Sequence, residues 1–303
     1  MKQWTMQELW KPWMSLSIES LALQEQTLNS MNVFPVADAD TGSNMLATLC
    51  GTLAPSALEG ARCALDSSRG NSGTLLSVWL KTLVESLGET GILTPEALHY
   101  ALFRAWEVAQ TAVSAPAEGT MLTVMHTLAQ APVRGELEEH FPFLISEAAE
   151  AAFATQKLQQ QAREAHTFDA GAVGLALVVK AWGQAMGLEL PQNKTMGSIL
   201  TPGPAADAGQ TRPASSGDAG VQTSSTSVEI VCTVQLSPLD MAHLRSSLDA
   251  LGDSVVIAPV DQGSGTTPSW RVHVHVPQQD KALQAIRALA EPENLQVTSL
   301  EAH

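Results

Sequence analysis

The sequence predicts a helical domain followed by a small α+β domain, and three observations carry that division. Apolar residues recur at helical spacing to about residue 190, the period changes to two at Val228, and a block poor in apolar residues lies between. That block is 201–227, where 21 of 27 residues are Pro, Gly, Ala, Ser or Thr, with a lone Val221 and no aromatic. It buries too little surface to offset its ordering entropy and reads as a flexible linker. The expected division is therefore a helical domain over 1–195, a linker over 196–227 and an α+β domain over 228–303.

Taken in order, Trp10, Trp13, Met14, Leu21 and Leu28 share one helix face that leads into a Pro-containing loop at 33–40. Amphipathic runs follow at about 44–53, 72–88, 95–114, 119–131, 144–165 and 171–187, so this domain is expected to be all-α. Beyond the linker, Val228–Val234 alternates like a strand. Ser237-Pro238-Leu239-Asp240 supplies an N-cap, a Pro at the first helical position and an acid at the capping-box position, predicting a helix to Ala250 that stops at Gly252. Val255–Val260 and Trp270–Val276 read as strands around the turn-rich Asp261–Pro268, Asp280–Ala290 as a helix, and Leu295–Leu300 as a last strand. The order βαββαβ over about 75 residues is that of a ferredoxin-like sandwich.

Composition narrows the function classes. A chain of 303 residues, 45% hydrophobic, can bury real cores, and roughly 150 residues per domain agrees with two of them. Sixteen Lys and Arg against 31 Asp and Glu give a net charge of −15. That charge repels phosphate backbones and anionic lipid, which argues against sequence-independent nucleic-acid binding. It does not repel a nucleotide held by metal ions, because the cation supplies the missing positive charge. Three scattered cysteines, Cys50, Cys63 and Cys232, make no disulfide framework and point to a reducing compartment. Met1–Thr5 lacks the apolar core of a signal peptide and no run of 18 apolar residues occurs, so a soluble, cytoplasmic protein with no transmembrane segment is expected.

The most informative stretch is Asn32-Val33-Phe34-Pro35-Val36-Ala37-Asp38-Ala39-Asp40-Thr41-Gly42-Ser43-Asn44-Met45. Asp38 and Asp40 alternate in a loop, so both carboxylates can share one space, where two like charges ask for a cation. Mg²⁺ takes carboxylate oxygens and leaves positions open for phosphate. Thr41–Asn44 then opens a helix whose free N–H groups favour an anion. On spacing alone, an Asp N-cap with a solvated neighbour fits equally well. Ser67–Thr74, Glu118–Met121 and Asp169–Gly174 also place Gly and polar groups at helix starts. Four such starts in one helical domain fit a bundle whose helix ends converge on one ligand. In the second domain His273 and His275 stand two apart on a strand, on one face about 7 Å apart. Cys232 on the adjacent first strand could complete a zinc set, and a half-buried Cys beside two solvent-facing His is the alternative.

Asn32–Met45 resembles the signature of DhaL/DAK2-type domains, the nucleotide-binding halves of dihydroxyacetone kinases and bacterial fatty acid kinases. Arg69-Gly70-Asn71-Ser72-Gly73, Glu118-Gly119-Thr120-Met121-Leu122-Thr123-Val124 and Asp169-Ala170-Gly171 follow in the family's order over about residues 8–190. Asn-Val-Phe-Pro is similar to the fatty acid kinase ATP-binding subunit. The resemblance implies an eight-helix up-and-down bundle that binds ATP or ADP with Mg²⁺ at one end. It implies Asp38 and Asp40 as metal-bridging carboxylates at the reacting centre, with Asn32 near a third ligand. Thr41, Asn44, Ser72 and Gly73 are implied around the phosphates, Thr120 and Met121 in the nucleotide pocket, and Asp169 and Gly171 in a closing loop. Leu251–Val256 with Val272–His275 looks like the middle domain of the fatty acid kinase, which implies zinc at Cys232, His273 and His275.

Two departures stand out: Ala37 replaces a Pro, and Ala39 replaces the Gly between the acids. If that position needs φ > 0, Ala39 strains the loop by roughly 1 kcal/mol or more. The resemblance further implies an ATP-dependent phosphotransferase acting on a fatty acid carboxylate presented by a separate carrier protein, and a homodimer. A third, C-terminal domain of the relatives is expected to be absent. Glycerone (dihydroxyacetone) phosphorylation with another substrate-binding subunit is the second reading, and a nucleotide-binding regulatory protein without turnover is the third.

Overall fold

A computed structural model describes residues 3–34, 37–190, 194–200, 227–261 and 267–300. The first part is helical, with α1 (Met6–Met31), α2 (Thr41–Cys50), α3 (Ala57–Asp66), α4 (Gly70–Leu87), α5 (Pro95–Ala112), α6 (Met121–Gln130), α7 (Leu137–Leu158), α8 (Gln160–Glu164), α9 (Ala170–Ala185) and α10 (Lys194–Leu200). α1 starts at a capping box in which the Thr5 side chain accepts from the Glu8 N–H and Glu8 reaches back to the Thr5 N–H. Sequence neighbours pack side by side from α3 through α7, and α7 packs on α9. α9 closes the bundle against α1. It is apolar on every face, the mark of a helix surrounded by others. At the centre Trp13 stacks on Trp182 at 4.2 Å, with Trp10 and Trp79 edge-on to Trp13 and Phe141 edge-on to Trp182. The Trp13 Nε1 donates to the Val178 carbonyl at 2.8 Å, which satisfies its buried N–H.

Ten helical segments stand here among the described residues, where the resemblance implied eight. α3 lies in a stretch read as loop, although Ser56 caps it by accepting from the Glu59 N–H. Its apolar face is built mainly of alanines, Ala57, Ala61 and Ala64 with Leu65, so hydrophobic periodicity barely marks it. α10 occupies the beginning of the expected linker and buries Met196 and Ile199 beside α7. The rest of the expected linker, 201–226, lies outside the described residues.

The second part runs β1 (Val228–Gln235), α11 (Pro238–Asp249), β2 (Asp253–Asp261), β3 (Ser269–Val276), α12 (Gln279–Arg287) and β4 (Glu293–Ser299). Its sheet has the order β2-β3-β1-β4 with every neighbouring pair antiparallel, the ferredoxin-like arrangement. One face packs on α11 and α12 through Ile230, Cys232, Val234, Val272 and Val274. The other face turns to the bundle, where Val256 and Ala258 join the bundle's own core.

The domains are fastened by backbone as well as side chains. Val113 bridges to Val256, and the Ser114 N–H donates to the Val255 carbonyl at 3.1 Å. Arg271, fully buried, donates to the Asp66 carbonyl at the end of α3 at 2.9 Å. The N–H of Gly70, first residue of α4, donates to Glu229 Oε1 at 3.1 Å.

Candidate functional site

The acidic loop leaves α1 at Asn32, whose buried side-chain amide donates to Asp38 Oδ1. Ala39 then takes φ 54, the left-handed region, which turns the chain so that Asp40 reaches the start of α2. Asp40 occupies the N-cap position of α2 but makes no side-chain cap. Its carboxyl turns instead to Asp38 and to the Asn44 side chain. Burial, then the charge and hydrogen bond of Asp38, push it up to about 7, with Asn44 opposing and Glu229 adding to the rise. The N-cap alternative is thus set aside by geometry: the pair shares one space, and one of its members holds its proton near neutrality.

That space is a cavity of about 30 Å³, room for one water or ion. Asn32, Asp38, Asp40, Thr41 and Asn44 line one side, and Gly70, Asn71 and Ser72 a second. Glu229 and His275 of the sheet domain close it. Gly70 has φ +57, and a Cβ there would collide with the Asn44 amide, so only glycine lets α4 start this close to α2. Gly73 lies against Thr48 of α2 and packs the two helices, rather than forming a wall.

A larger cavity of about 570 Å³ adjoins it and shares Phe34, Asn71 and Ser72. Its far wall brings the starts of α6 and α9 together at Thr120, Met121 and Asp169. Thr120 caps α6 by accepting from the Leu122 N–H at 3.3 Å, and Asp169 caps α9 by accepting from the Ala172 N–H at 2.7 Å. Burial pushes the Asp169 carboxyl up to about 7, against the N–H groups of Ala172 and Met121 that favour its ionised form. A Cβ on Gly171 would stand 3.0 Å from Ser72 Oγ and 3.2 Å from Met121 Cε, so this glycine lets three helix starts meet. Mostly apolar, with a few polar groups converging at one end, the cavity has the character of a small-molecule site.

The sheet domain corrects one expectation. Cys232 pairs with Val272 while Val231 pairs with His273, so Cys232 points into the core under α11 and α12, away from the two histidines. Side chains alternate along a strand, and an even-numbered residue of β1 cannot join the odd-numbered histidines of β3 in this register. Cys232 is fully buried, and burial raises its thiol to about 11, leaving it inert. Glu229 takes its place: among the described residues the ligand atoms of Glu229, His273 and His275 lie within 4.8 Å of one another. His273 Nδ1 lies 3.0 Å from the Ser254 carbonyl, an acceptor, so Nδ1 carries the proton and Nε2 faces Glu229 Oε1 at 2.8 Å. Burial and the neighbouring His273 push His275 down to about 4, so its ring stays neutral. Burial alone would raise the Glu229 carboxyl, but the His273 hydrogen bond, both histidines' charges and the Gly70 N–H outweigh it and hold it low. Sequence reasoning missed Glu229, although a charged residue alternating in phase with Val231 in a buried strand was a readable signal.

Both domains have counterparts among known proteins. The DAK2 domain model matches residues 35–184, and the FakA-like middle-domain model, built on fatty acid kinase, matches 226–303. An uncharacterized protein of Mycoplasma genitalium is 31% identical over 186 residues, 53% of this chain and 33% of the relative. An uncharacterized protein of Staphylococcus aureus (strain bovine RF122 / ET3-1) is 28% identical over 187 residues, 55% of this chain and 34% of the relative. The matched segment thus spans about a third of the length of these curated relatives. Among solved structures, the dihydroxyacetone kinase from C. freundii in complex with AMP-PNP and Mg²⁺ is similar at 20% identity and a TM-score of 0.41, covering 58% of this chain and 34% of that one.

Proposed function

From a chain that belongs to the DAK2-domain family and carries a FakA-like middle domain, we propose an ATP-dependent phosphotransferase that works with other proteins. The observation that carries the reading is the Asp38–Asp40 pair, set where the starts of α2 and α4 meet and opening onto the larger cavity. The residues fit Mg²⁺: the donors are carboxylate oxygens, the space suits one ion, and Asp40 is held as an acid only for want of a positive charge. Asp38 and Asp40 would hold the ion, with Asn32 orienting Asp38. When bound, magnesium supplies the positive charge that this acidic pocket lacks toward a triphosphate.

The chain's own groups do the rest. Asn71 and Ser72 at the start of α4 present donors to phosphate oxygens, and Thr41 and Asn44 do so from α2. Thr120, Met121 and Asp169 hold the nucleoside end in the larger cavity. Asp169, half in its acid form near neutrality, adds less repulsion to an anionic ligand than an ordinary aspartate would. The proposed acceptor is a fatty acid carboxylate presented by a carrier protein, giving an acyl phosphate and ADP. Such an acceptor arrives ionised and needs no base, so catalysis rests on positioning and electrostatics.

Zinc belongs to the proposal at Glu229, His273 and His275, not at Cys232. Two neutral imidazoles and a carboxylate are a zinc set, and the Ser254 carbonyl behind His273 is the outer partner that a ligating imidazole takes. The buried His275 Nδ1 makes no hydrogen bond and stands 3.9 Å from Asp253 Oδ1, which leaves a ring nitrogen of this histidine unsatisfied by the protein. When bound, zinc supplies a second fixed charge beside the phosphate end.

The test is calorimetric titration of the full chain with ADP, with and without Mg²⁺, followed by ATP consumption with acyl-loaded carrier protein. Mg²⁺-dependent binding and carrier-dependent turnover support the reading, and no binding under either condition ends it. Binding without transfer to any carboxylate or to glycerone favours a nucleotide-binding regulator. The strained Ala39 beside the metal pair is the observation that favours this second reading.

A further inference from the structure

The larger cavity belongs to both domains. Gly252–Val256 of the sheet domain form the wall opposite Met121 and Leu122, so a ligand there touches β2 as well as the bundle. What holds that wall in place is local. The Val113–Val256 bridge and the Ser114 N–H to the Val255 carbonyl join the end of α5 to β2. Behind them lies Arg245 of α11, whose guanidinium lines neither the larger nor the smaller cavity. Its Nη1 donates to the Ala112 carbonyl and to Ser114 Oγ, both at 3.1 Å, and its Nη2 donates to the Ile257 carbonyl at 3.3 Å. One planar cation thus spans bundle and sheet from behind the cavity wall, using the carbonyl end of α5 that favours positive charge.

We infer that Arg245 is a positioning residue for the nucleotide: it fixes the sheet-domain wall of the cavity, so that bound nucleotide is clamped between the domains rather than held by the bundle alone. The inference rests on the larger cavity being the nucleotide site. Without the guanidinium, residues 112–114 and β2 lose their shared anchor, the wall recedes, and the ligand loses its contacts on that side. The bundle's core, around Trp13 and Trp182, lies elsewhere and is untouched.

Hydrogen exchange on the full chain with MgADP tests this. In the parent, MgADP is expected to slow exchange in 252–257 as well as at the starts of α4 and α6. Arg245→Met should weaken MgADP binding about tenfold, the loss of one charged hydrogen-bonding group. Exchange in α1 and α9 should stay as in the parent, and Arg245→Lys should recover part of the affinity. Protection confined to the bundle, or unchanged affinity in Arg245→Met, overturns the inference and leaves the nucleotide reading standing. A parent chain that binds no MgADP overturns both. Should Arg245→Met fail to fold, seen as lost protection in α1 and α9, the parent's exchange pattern in 252–257 decides by itself.

Discussion

Gly70 donates its backbone N–H across the domain boundary to Glu229 Oε1 at 3.1 Å, and the same oxygen lies 2.8 Å from His273 Nε2. One carboxylate therefore ties the start of α4 to the third strand of the sheet. Whatever Glu229 binds is felt at the helix start that lines the phosphate end.

Metal analysis of purified variants should separate Glu229 from Cys232. Glu229→Ala and His273→Ala are expected to lose most of their bound zinc, since each removes one of three ligands. Cys232→Ser should keep the parent's content, because its side chain lies in the core on the other face. The reverse pattern would refute the ligand set.

Protons should compete with Mg²⁺ at Asp40. Its carboxyl is pushed up to about 7, so the ionised form that binds metal is dominant above that pH and lost below it. Mg²⁺-dependent ADP affinity is expected to be full near pH 8 and to fall toward about tenfold per pH unit once below 7. Asp40→Asn should lower affinity at pH 8 by at least about tenfold and flatten the profile. Calorimetry at four pH values checks both, and a parent profile flat from pH 8 to 6 would count against the assignment.

Ala39→Gly should stabilise the protein. Alanine at φ 54 costs about 1–2 kcal/mol relative to an unstrained conformation. Glycine removes that cost but gives back about 0.4–1 kcal/mol through a freer unfolded chain. The expected net gain is about 0.5 kcal/mol or slightly more, read from urea unfolding midpoints. A measured loss would show that the loop carries no such strain.

Asp169→Asn should change how stability depends on pH. The native carboxyl is raised to about 7 from an ordinary value of 3.8, so the folded state binds more protons in between. Its contribution is fully present below the unfolded value and is lost as pH rises through 7. Asparagine keeps the N-cap acceptor and removes the titration. The variant should therefore gain stability on the parent as pH rises from 5.5 to 8.5, and a constant difference across that range would contradict the shift.

Much of the phosphate end was legible because its signals are local. Acids two apart, and glycines beside small polar residues at helix starts, announce themselves within a few positions, and the structure brings Asp38, Asp40, Thr41, Asn44 and Ser72 to one cavity. The helix after Ser237 was legible for the same reason: Ser237 Oγ accepts from the Asp240 N–H at 3.2 Å. Cys232 misled because its side depends on register against a strand some forty residues away, and a slip of one residue changes the face. α3 hid because alanines bury without marking a hydrophobic stripe. The docking of β2 on α5 was invisible, since nothing near Val113 or Val256 encodes the other.

The indole stack at the bundle's centre gives the protein an optical handle on its own parts. Trp13 and Trp182 lie almost parallel, with Trp10 and Trp79 in edge contact with Trp13, whereas the sheet domain holds a single indole, Trp270. Packed chromophores of this kind couple their transitions, so near-ultraviolet dichroism will be dominated by the helical half. Loss of that signal will mark when the bundle melts, and a fluorescence change that survives removal of Trp270 will have come from the bundle alone.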